Sequence, residues 1–148
     1  MNINSCKTAA INAGLNADEL CKLLNIAKHA AEKGGASLMQ NYGKIKTIKC
    51  KGTAGDLVTN ADIESEKLII QYLEENTPNI SILAEESGLK AKNGELKWCI
   101  DPLDGTTNYA HGFPFFATSI GLIWNNFPIL GAISVPYLNE IYYASPEH

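Results

Sequence analysis

Hydrophobic side chains recur every three or four positions between residues 16 and 43, which predicts a long amphipathic helix. Its expected buried face consists of Leu20, Leu23, Leu24, Ala27, Ala31 and Leu38. Gly43 is a typical residue for the end of such a helix. The pair Gly34 and Gly35 interrupts the pattern, and we expect another element to pack closely there.

A second helix is predicted to begin at Thr59, a typical N-terminal capping residue, and to end before Pro78. Its expected buried face consists of Leu68, Ile69, Tyr72 and Leu73. Three acids, Asp62, Glu64 and Glu66, fall in the first turns, where negative charge stabilises the positive end of the helix dipole.

Short apolar runs follow the two helices and predict β-strands. The runs are 80–84, 98–100, 115–124, 128–135 and 141–143. Asn125 and Asn126 separate the third run from the fourth, which predicts a β-hairpin. Two helices followed by mainly antiparallel strands predict an α+β fold, in which layered helices pack on a mainly antiparallel sheet.

The length of 148 residues and a hydrophobic content of 45% predict one folded domain. We expect it to cover residues 17–148, after a flexible N-terminal extension at 1–16. The chain has no signal-like N-terminus and no apolar run that could span a membrane, so we expect a cytoplasmic protein without a membrane partner. The four cysteines form no CxxC pair, which favours reduced thiols over a zinc site.

The charge balance argues against nucleic acid as a partner. The net charge is −4, and all 12 basic residues are lysines. A nucleic-acid-binding protein needs a dense cationic face. Without arginine, phosphate would have to be bound by metal ions, lysine and backbone N–H groups.

Acidic residues follow directly after two of the apolar runs, at Glu85 and at Asp101. In the motif DPLDGTT, at 101–107, Pro102 favours a turn that would let Asp101 and Asp104 converge. Carboxylates and a backbone carbonyl are the oxygen ligands that Mg²⁺ prefers, and Mg²⁺ often shares its ligands with phosphate. A bare turn explains the segment equally well by itself, since Asp-Pro and Asp-Gly are common turn dipeptides.

Two other motifs can be excluded by position. An EF-hand loop beginning at Asp101 needs an oxygen ligand at position 103 and an acid at 112, where this chain has Leu103 and Gly112. In phosphatases that form an aspartyl-phosphate, the nucleophile would fall at Pro102, and proline cannot attack phosphorus.

Four blocks resemble the inositol monophosphatase family, within the lithium-sensitive, metal-dependent sugar phosphatases. They are GDLVTNAD (55–62), ILAEESG (82–88), WCIDPLDGTTNYAHGFPFFATSIGL (98–122) and GAISVPYLNEIYYA (131–144). The resemblance implies a sugar-phosphatase-like fold without its C-terminal α/β half, and Mg²⁺-dependent hydrolysis of inositol 1-phosphate or a related sugar monophosphate by metal-activated water. It also implies two or three Mg²⁺ ions in the complete site, and a homodimer.

The resemblance also implies roles for individual residues. The implied metal ligands are Glu85, Asp101, the Leu103 carbonyl and Asp104. The implied catalytic residues are Asp62, Thr106 and Glu86, of which Asp62 and Thr106 would activate water. The implied phosphate-binding residues are Gly105, Thr106, Thr107 and Lys51, with the loop at 52–55 as a mobile flap.

Simpler roles stand beside several of these. Asp62 also suits a helix N-terminus, and Glu86 also suits a solvent-facing position. Cys99 is expected to be a buried thiol, because thiolate is a poor ligand for Mg²⁺. His111 is expected to order its loop, and Asp56 to bond to neighbouring backbone.

The chain resembles only about the first half of the family, whose second half supplies a further aspartate to the metal site. Two functions therefore remain open. One is the metal-binding half of an inositol-phosphate phosphatase. The alternative is a truncated, non-catalytic module that binds metal or a partner chain.

Overall fold

The computed structural model describes residues 3–44, 48–50 and 57–147. The helices in these ranges are α1 (Ile3–Asn12), α2 (Ala17–Asn41), α3 (Asn60–Asn76) and α4 (Thr106–Ala110). The strands there are β1 (Ile48–Cys50), β2 (Leu57–Thr59), β3 (Ser81–Ala84), β4 (Gly88–Lys90), β5 (Leu96–Asp104), β6 (Ala117–Trp124), β7 (Phe127–Val135) and β8 (Glu140–Ala144). None of these helices is long and apolar enough to cross a membrane.

Six strands form one mixed sheet in the order β4-β3-β5-β6-β7-β8. Strands β3 and β5 are parallel, and the other neighbours are antiparallel. Strands β1 and β2 pair separately as an antiparallel ladder. The predicted α+β class, with helices on a mainly antiparallel sheet, is therefore confirmed.

Helices α1, α2 and α3 contact the six-stranded sheet. Trp98, Ile100 and Leu122 belong to the main core that the helices share with the sheet. Successive side chains of a strand point to opposite faces. On the opposite face, Leu83 and Ile133 are 41% and 43% exposed, so much of that face is open to solvent within the described residues.

Helix α2 begins with a complete capping box. The Asn16 side chain accepts a hydrogen bond from the Glu19 N–H at 3.0 Å, and the Glu19 carboxylate accepts one from the Asn16 N–H at 2.9 Å. These two bonds satisfy donors that the first turn leaves unpaired. The predicted helix is confirmed, and it ends two residues before Gly43, whose φ is +73°.

The predicted hairpin is also confirmed. Asn125 and Asn126 connect β6 to β7 with φ angles of 46° and 65°. Positive φ at both central residues is typical of the tight turn that matches the twist of paired strands, and asparagine tolerates it better than most residues.

Most of the predicted N-terminal extension is helical. Residues 3–12 form α1, in which Ala9 and Ala10 are buried in the main core. The segment is therefore packed against the domain. The small alanine side chains allow this short helix to approach the sheet closely.

The two glycines of α2 lie where other elements approach its backbone. A Cβ atom on Gly34 would lie 2.7 Å from Ile69 Cδ1 and 2.8 Å from Thr118 Cγ2. On Gly35 it would lie 2.8 Å from Ser134 Oγ. Hydrogen in place of a side chain allows α2 to lie against α3 and the sheet at this point.

We expect Gly34→Ala to destabilise the protein. Overpacking a core typically costs about 1–3 kcal/mol, whereas the better helix propensity of alanine returns at most about 1 kcal/mol. Urea unfolding measures the difference. Gly121→Ala is the control, because a Cβ atom there meets nothing within 4 Å. An unchanged or higher free energy of unfolding for Gly34→Ala would contradict this packing.

Candidate active site

The acidic motif lies where strand β5 becomes irregular. Asp101 pairs with Ser119 and Asp104 with Ala117, so β5 contains one residue more than β6 over this interval. Pro102 favours the irregularity because it has no N–H to donate to a neighbouring strand. The sequence predicted a turn here, whereas the structure has a bulged strand. The additional residue places Asp101 and Asp104 on the same face of the sheet, although they are three positions apart.

Glu85 reaches the same place from the neighbouring strand. Strands β3 and β5 run parallel, with Leu83 opposite Cys99 and Ala84 opposite Ile100. Continuing this register sets Glu85 beside Asp101, and the two carboxyl groups share a hydrogen bond. The structure therefore brings together the three acids that the sequence singled out.

This crowding changes the protonation of Asp101. Partial burial raises the pKa of Asp101 to about 7, together with the hydrogen bond and charge of Glu85 and the charge of Asp104. The Leu103 N–H, which donates to Asp101 Oδ1 at 3.1 Å, has a smaller and opposite effect on the pKa. Negative charge is thus unfavourable at this position unless a cation compensates for it.

The donor atoms suit a hard cation. Glu85, Asp101 and Asp104 supply carboxylate oxygens beside the Leu103 carbonyl. Within the part of the chain that the structure describes, no three His, Cys, Asp or Glu side chains form a preassembled metal cage. Mg²⁺ usually needs only one or two carboxylates, and completes its coordination with water and substrate phosphate. The residues therefore fit this ion by ligand type and charge.

Asp62 and Thr106 meet beside these acids. Asp62 is 2% exposed, in the first turn of α3. Thr106 Oγ1 lies 3.3 Å from Asp62 Oδ1 and 3.0 Å from the Leu103 carbonyl oxygen. A hydroxyl has one proton, so Thr106 can donate to only one of these two acceptors at a time.

Gly105 connects the bulged strand to helix α4. Its φ is +87°, and a Cβ atom at this position would lie 2.8 Å from the Phe115 carbonyl oxygen. The Asn108 side chain donates to that same carbonyl at 2.9 Å. Only glycine fits this position, so the chain can turn directly from the bulged strand into α4, whose first two residues are Thr106 and Thr107.

Two further residues singled out by the sequence, Glu86 and His111, lie in the described ranges. Glu86 is partly buried in the turn after β3. The His111 ring nitrogen Nδ1 lies 2.8 Å from the Thr107 carbonyl, a contact within its own loop. Lys51, the loop at 52–55 and Asp56 lie outside the described residues.

Cys99 is partly buried, and burial raises the pKa of its thiol. It is free, as are Cys6 and Cys21. A thiol that keeps its proton is a poor metal ligand.

Two supporting contacts were not predicted from the sequence. The buried hydroxyls of Ser65 and Thr118 both donate to the Pro102 carbonyl, at 3.2 and 3.1 Å. The buried carboxylate of Glu66 accepts from the N–H groups of Glu86 and Ser87. Position 66 was interpreted only as a helix-dipole charge. Its spacing of four residues from position 62, which places both on one helix face, was the available signal.

The comparisons with known proteins identify relatives of this arrangement. The sequence pattern described as the inositol monophosphatase family matches residues 19–148. An inositol-1-monophosphatase from Synechocystis is 40% identical over 139 residues, covering 93% of this chain and 48% of that protein. A fructose-1,6-bisphosphatase/inositol-1-monophosphatase from Aquifex aeolicus is 41% identical, covering 86% of this chain and 49% of the relative.

Solved structures give the same result. The crystal structure of the extragenic suppressor protein SuhB from Bartonella henselae superposes with a TM-score of 0.80 and 36% identity. The match covers 84% of this chain and 49% of that one. The chain therefore spans about half the length of the relatives it matches.

Proposed function

The chain belongs to the inositol monophosphatase family, and from this premise we propose that it forms the Mg²⁺-binding half of a phosphatase for inositol 1-phosphate or a related sugar monophosphate. One observation carries the proposal. Three acids, Glu85, Asp101 and Asp104, gather at one edge of the sheet, and Thr106 links that edge to the buried Asp62.

Glu85, Asp101, Asp104 and the Leu103 carbonyl would hold the Mg²⁺ ions, of which the complete family site takes two or three. When bound, Mg²⁺ supplies Lewis acidity, which makes water more acidic and stabilises negative charge on phosphate oxygens. An aspartyl-phosphate at position 102 is excluded, since that residue is proline, and the proposed attack is by water directly on phosphorus.

Asp62 and Thr106 would handle the proton of the attacking water. The buried Asp62 carboxylate accepts a hydrogen bond from the Thr106 hydroxyl. The lone pairs of the Thr106 oxygen are then available to accept a hydrogen bond from water. The Leu103 carbonyl oxygen, 3.0 Å from Thr106 Oγ1, competes with Asp62 for this hydrogen bond. If its carbonyl is occupied by another ligand, the Thr106 proton is left to Asp62. Glu86 would support this arrangement through water.

The phosphate would contact Gly105, Thr106 and Thr107, and Lys51 would reach it from the flap formed by residues 52–55. The hydroxyls and backbone N–H groups of the first three residues are suitable donors for phosphate oxygens. The chain has no arginine, and Lys51 is the cationic residue to which the family resemblance assigns phosphate binding.

Further properties belong to the proposal. Residues 17–148 would form the metal-binding domain, and the protein would assemble as a homodimer. Li⁺ would inhibit its phosphatase activity. We also propose a cytoplasmic location without nucleic-acid or membrane partners. The name of the Aquifex aeolicus relative adds fructose 1,6-bisphosphate to the substrates worth testing.

The second candidate function is a non-catalytic module that binds metal or a partner chain. The chain spans about half of the Synechocystis relative, so turnover by these residues is itself part of the first proposal.

The test is phosphate release from inositol 1-phosphate, with fructose 1,6-bisphosphate assayed in parallel. We expect release that requires Mg²⁺, decreases with Li⁺ and disappears in Asp104→Asn, while the exposed-site control Asp18→Asn stays active. Mg²⁺ binding without turnover would favour the second candidate. A folded protein with neither binding nor turnover would contradict both.

A further inference from the structure

Helix α3 contacts both segments that carry the proposed metal ligands. Asp62 meets Thr106, and Ser65 donates to the Pro102 carbonyl at 3.2 Å. One position further, Glu66 lies 4% exposed against the turn that follows β3. The helix therefore touches both acid-bearing segments, one on β5 and one after β3.

The Glu66 contact uses both carboxylate oxygens. Oε2 accepts from the Glu86 N–H at 2.7 Å, and Oε1 accepts from the Ser87 N–H at 2.9 Å. Hydrogen bonds to a charged acceptor are shorter and stronger than neutral ones, and two of them fix both position and orientation. A buried carboxylate also needs such donors, because burial without them is costly.

We propose that Glu66 is a positioning residue, which holds the turn at residues 85–87 so that the Glu85 carboxylate stays beside Asp101. Glu85 is the first residue after β3, so the sheet ladder alone does not fix it. Two anchored N–H groups on the following residues limit its freedom to turn away. This inference rests on the proposed function, because it concerns binding of Mg²⁺ at that site.

Glu66→Gln tests the proposal with little change in side-chain size. A glutamine has one acceptor oxygen, and its NH₂ group would face an amide N–H instead of accepting from it. Losing a residue that orients a metal ligand typically weakens metal binding by roughly 10–100-fold. Glu66→Asp keeps the charge but is one methylene shorter, so we expect an intermediate loss. If Glu66→Gln does not fold, Glu66→Asp is compared with the parent protein instead.

Glu75→Gln is the matched control. It removes the same charge from the same helix, but Glu75 is exposed and bonds only to Gln71 among the contacts described. Mg²⁺ affinity is measured by calorimetry with MgCl₂, and amide hydrogen exchange of Glu86 and Ser87 by NMR. We expect weaker binding and faster exchange at these two amides in Glu66→Gln, and neither change in Glu75→Gln.

The outcomes separate the two claims. A folded Glu66→Gln variant with the parent's Mg²⁺ affinity and amide exchange would overturn the positioning role. A folded parent that binds no Mg²⁺ would instead contradict the proposed function. In that case the exchange rates alone decide whether Glu66 orders the turn.

Discussion

Asp101→Asn is expected to abolish measurable Mg²⁺ binding while leaving the metal-free protein at least as stable as the parent. The substitution removes a carboxylate whose charge is disfavoured by partial burial and by Glu85 and Asp104. Asparagine has nearly the same shape and can still accept the hydrogen bond from the Leu103 N–H. Loss of a residue that only orients a metal ligand lowers metal affinity by roughly 10–100-fold. Because Asp101 is itself a proposed ligand, we expect its loss to lower Mg²⁺ affinity further.

Calorimetric titration with MgCl₂ and urea unfolding without metal measure the two effects. Asp18→Asn is the control, because it makes the same chemical change at an exposed position in the first turn of α2. The control should keep its Mg²⁺ affinity and lose about 0.3–1 kcal/mol of stability, since a helix-dipole interaction is removed. If Asp101→Asn binds Mg²⁺ like the parent, Asp101 is not a ligand. If it strongly destabilises the metal-free protein, negative charge at this position is not unfavourable.

Asp62→Asn is expected to slow phosphate release by roughly 10²–10⁴-fold, the usual contribution of a general base. Asparagine cannot take up a proton, but its carbonyl oxygen can still accept from the Thr106 hydroxyl, so the local geometry should persist. Mg²⁺ binding should be retained, because Asp62 is not among the proposed ligands.

Release rates at saturating Mg²⁺, together with a Mg²⁺ titration of the same variant, check this separation. Glu64→Gln is a suitable control, since Glu64 is exposed in the same part of α3 and accepts a hydrogen bond from the Asn41 side chain. If Asp62→Asn loses Mg²⁺ binding and turnover equally, Asp62 acts in metal binding and not in proton transfer.

Long, regular elements could be predicted from the sequence because their signals repeat. Helix α2 shows its buried face at several successive turns, and the hairpin shows two strands around paired asparagines. Helix α4 spans five residues and β4 three, too few for a periodic pattern to emerge. Their positions depend on tertiary contacts such as the Tyr109 hydroxyl bond to the Leu38 carbonyl.

The sequence predicted which acidic residues form the candidate site, but not the contacts that hold them in place. Asp101 and Asp104 stand out because they follow an apolar run, whereas the bulge that aligns them depends on pairing with β6. The spacing of four residues between Asp62 and Glu66 indicates a shared helix face, but it does not indicate what Glu66 binds. Its role depends on a turn 20 residues away, and the helix-dipole rule explains an acid near the start of α3 without that contact.

The most direct test of the central claim is an NMR titration of the folded chain with MgCl₂. We predict saturable shifts of backbone amides in two segments, 83–87 and 100–107, and their loss in Asp104→Asn. These segments carry Glu85, Asp101, Leu103 and Asp104. A folded parent that shows no saturable shifts, or shifts confined to other parts of the chain, would contradict a Mg²⁺ site at this edge of the sheet.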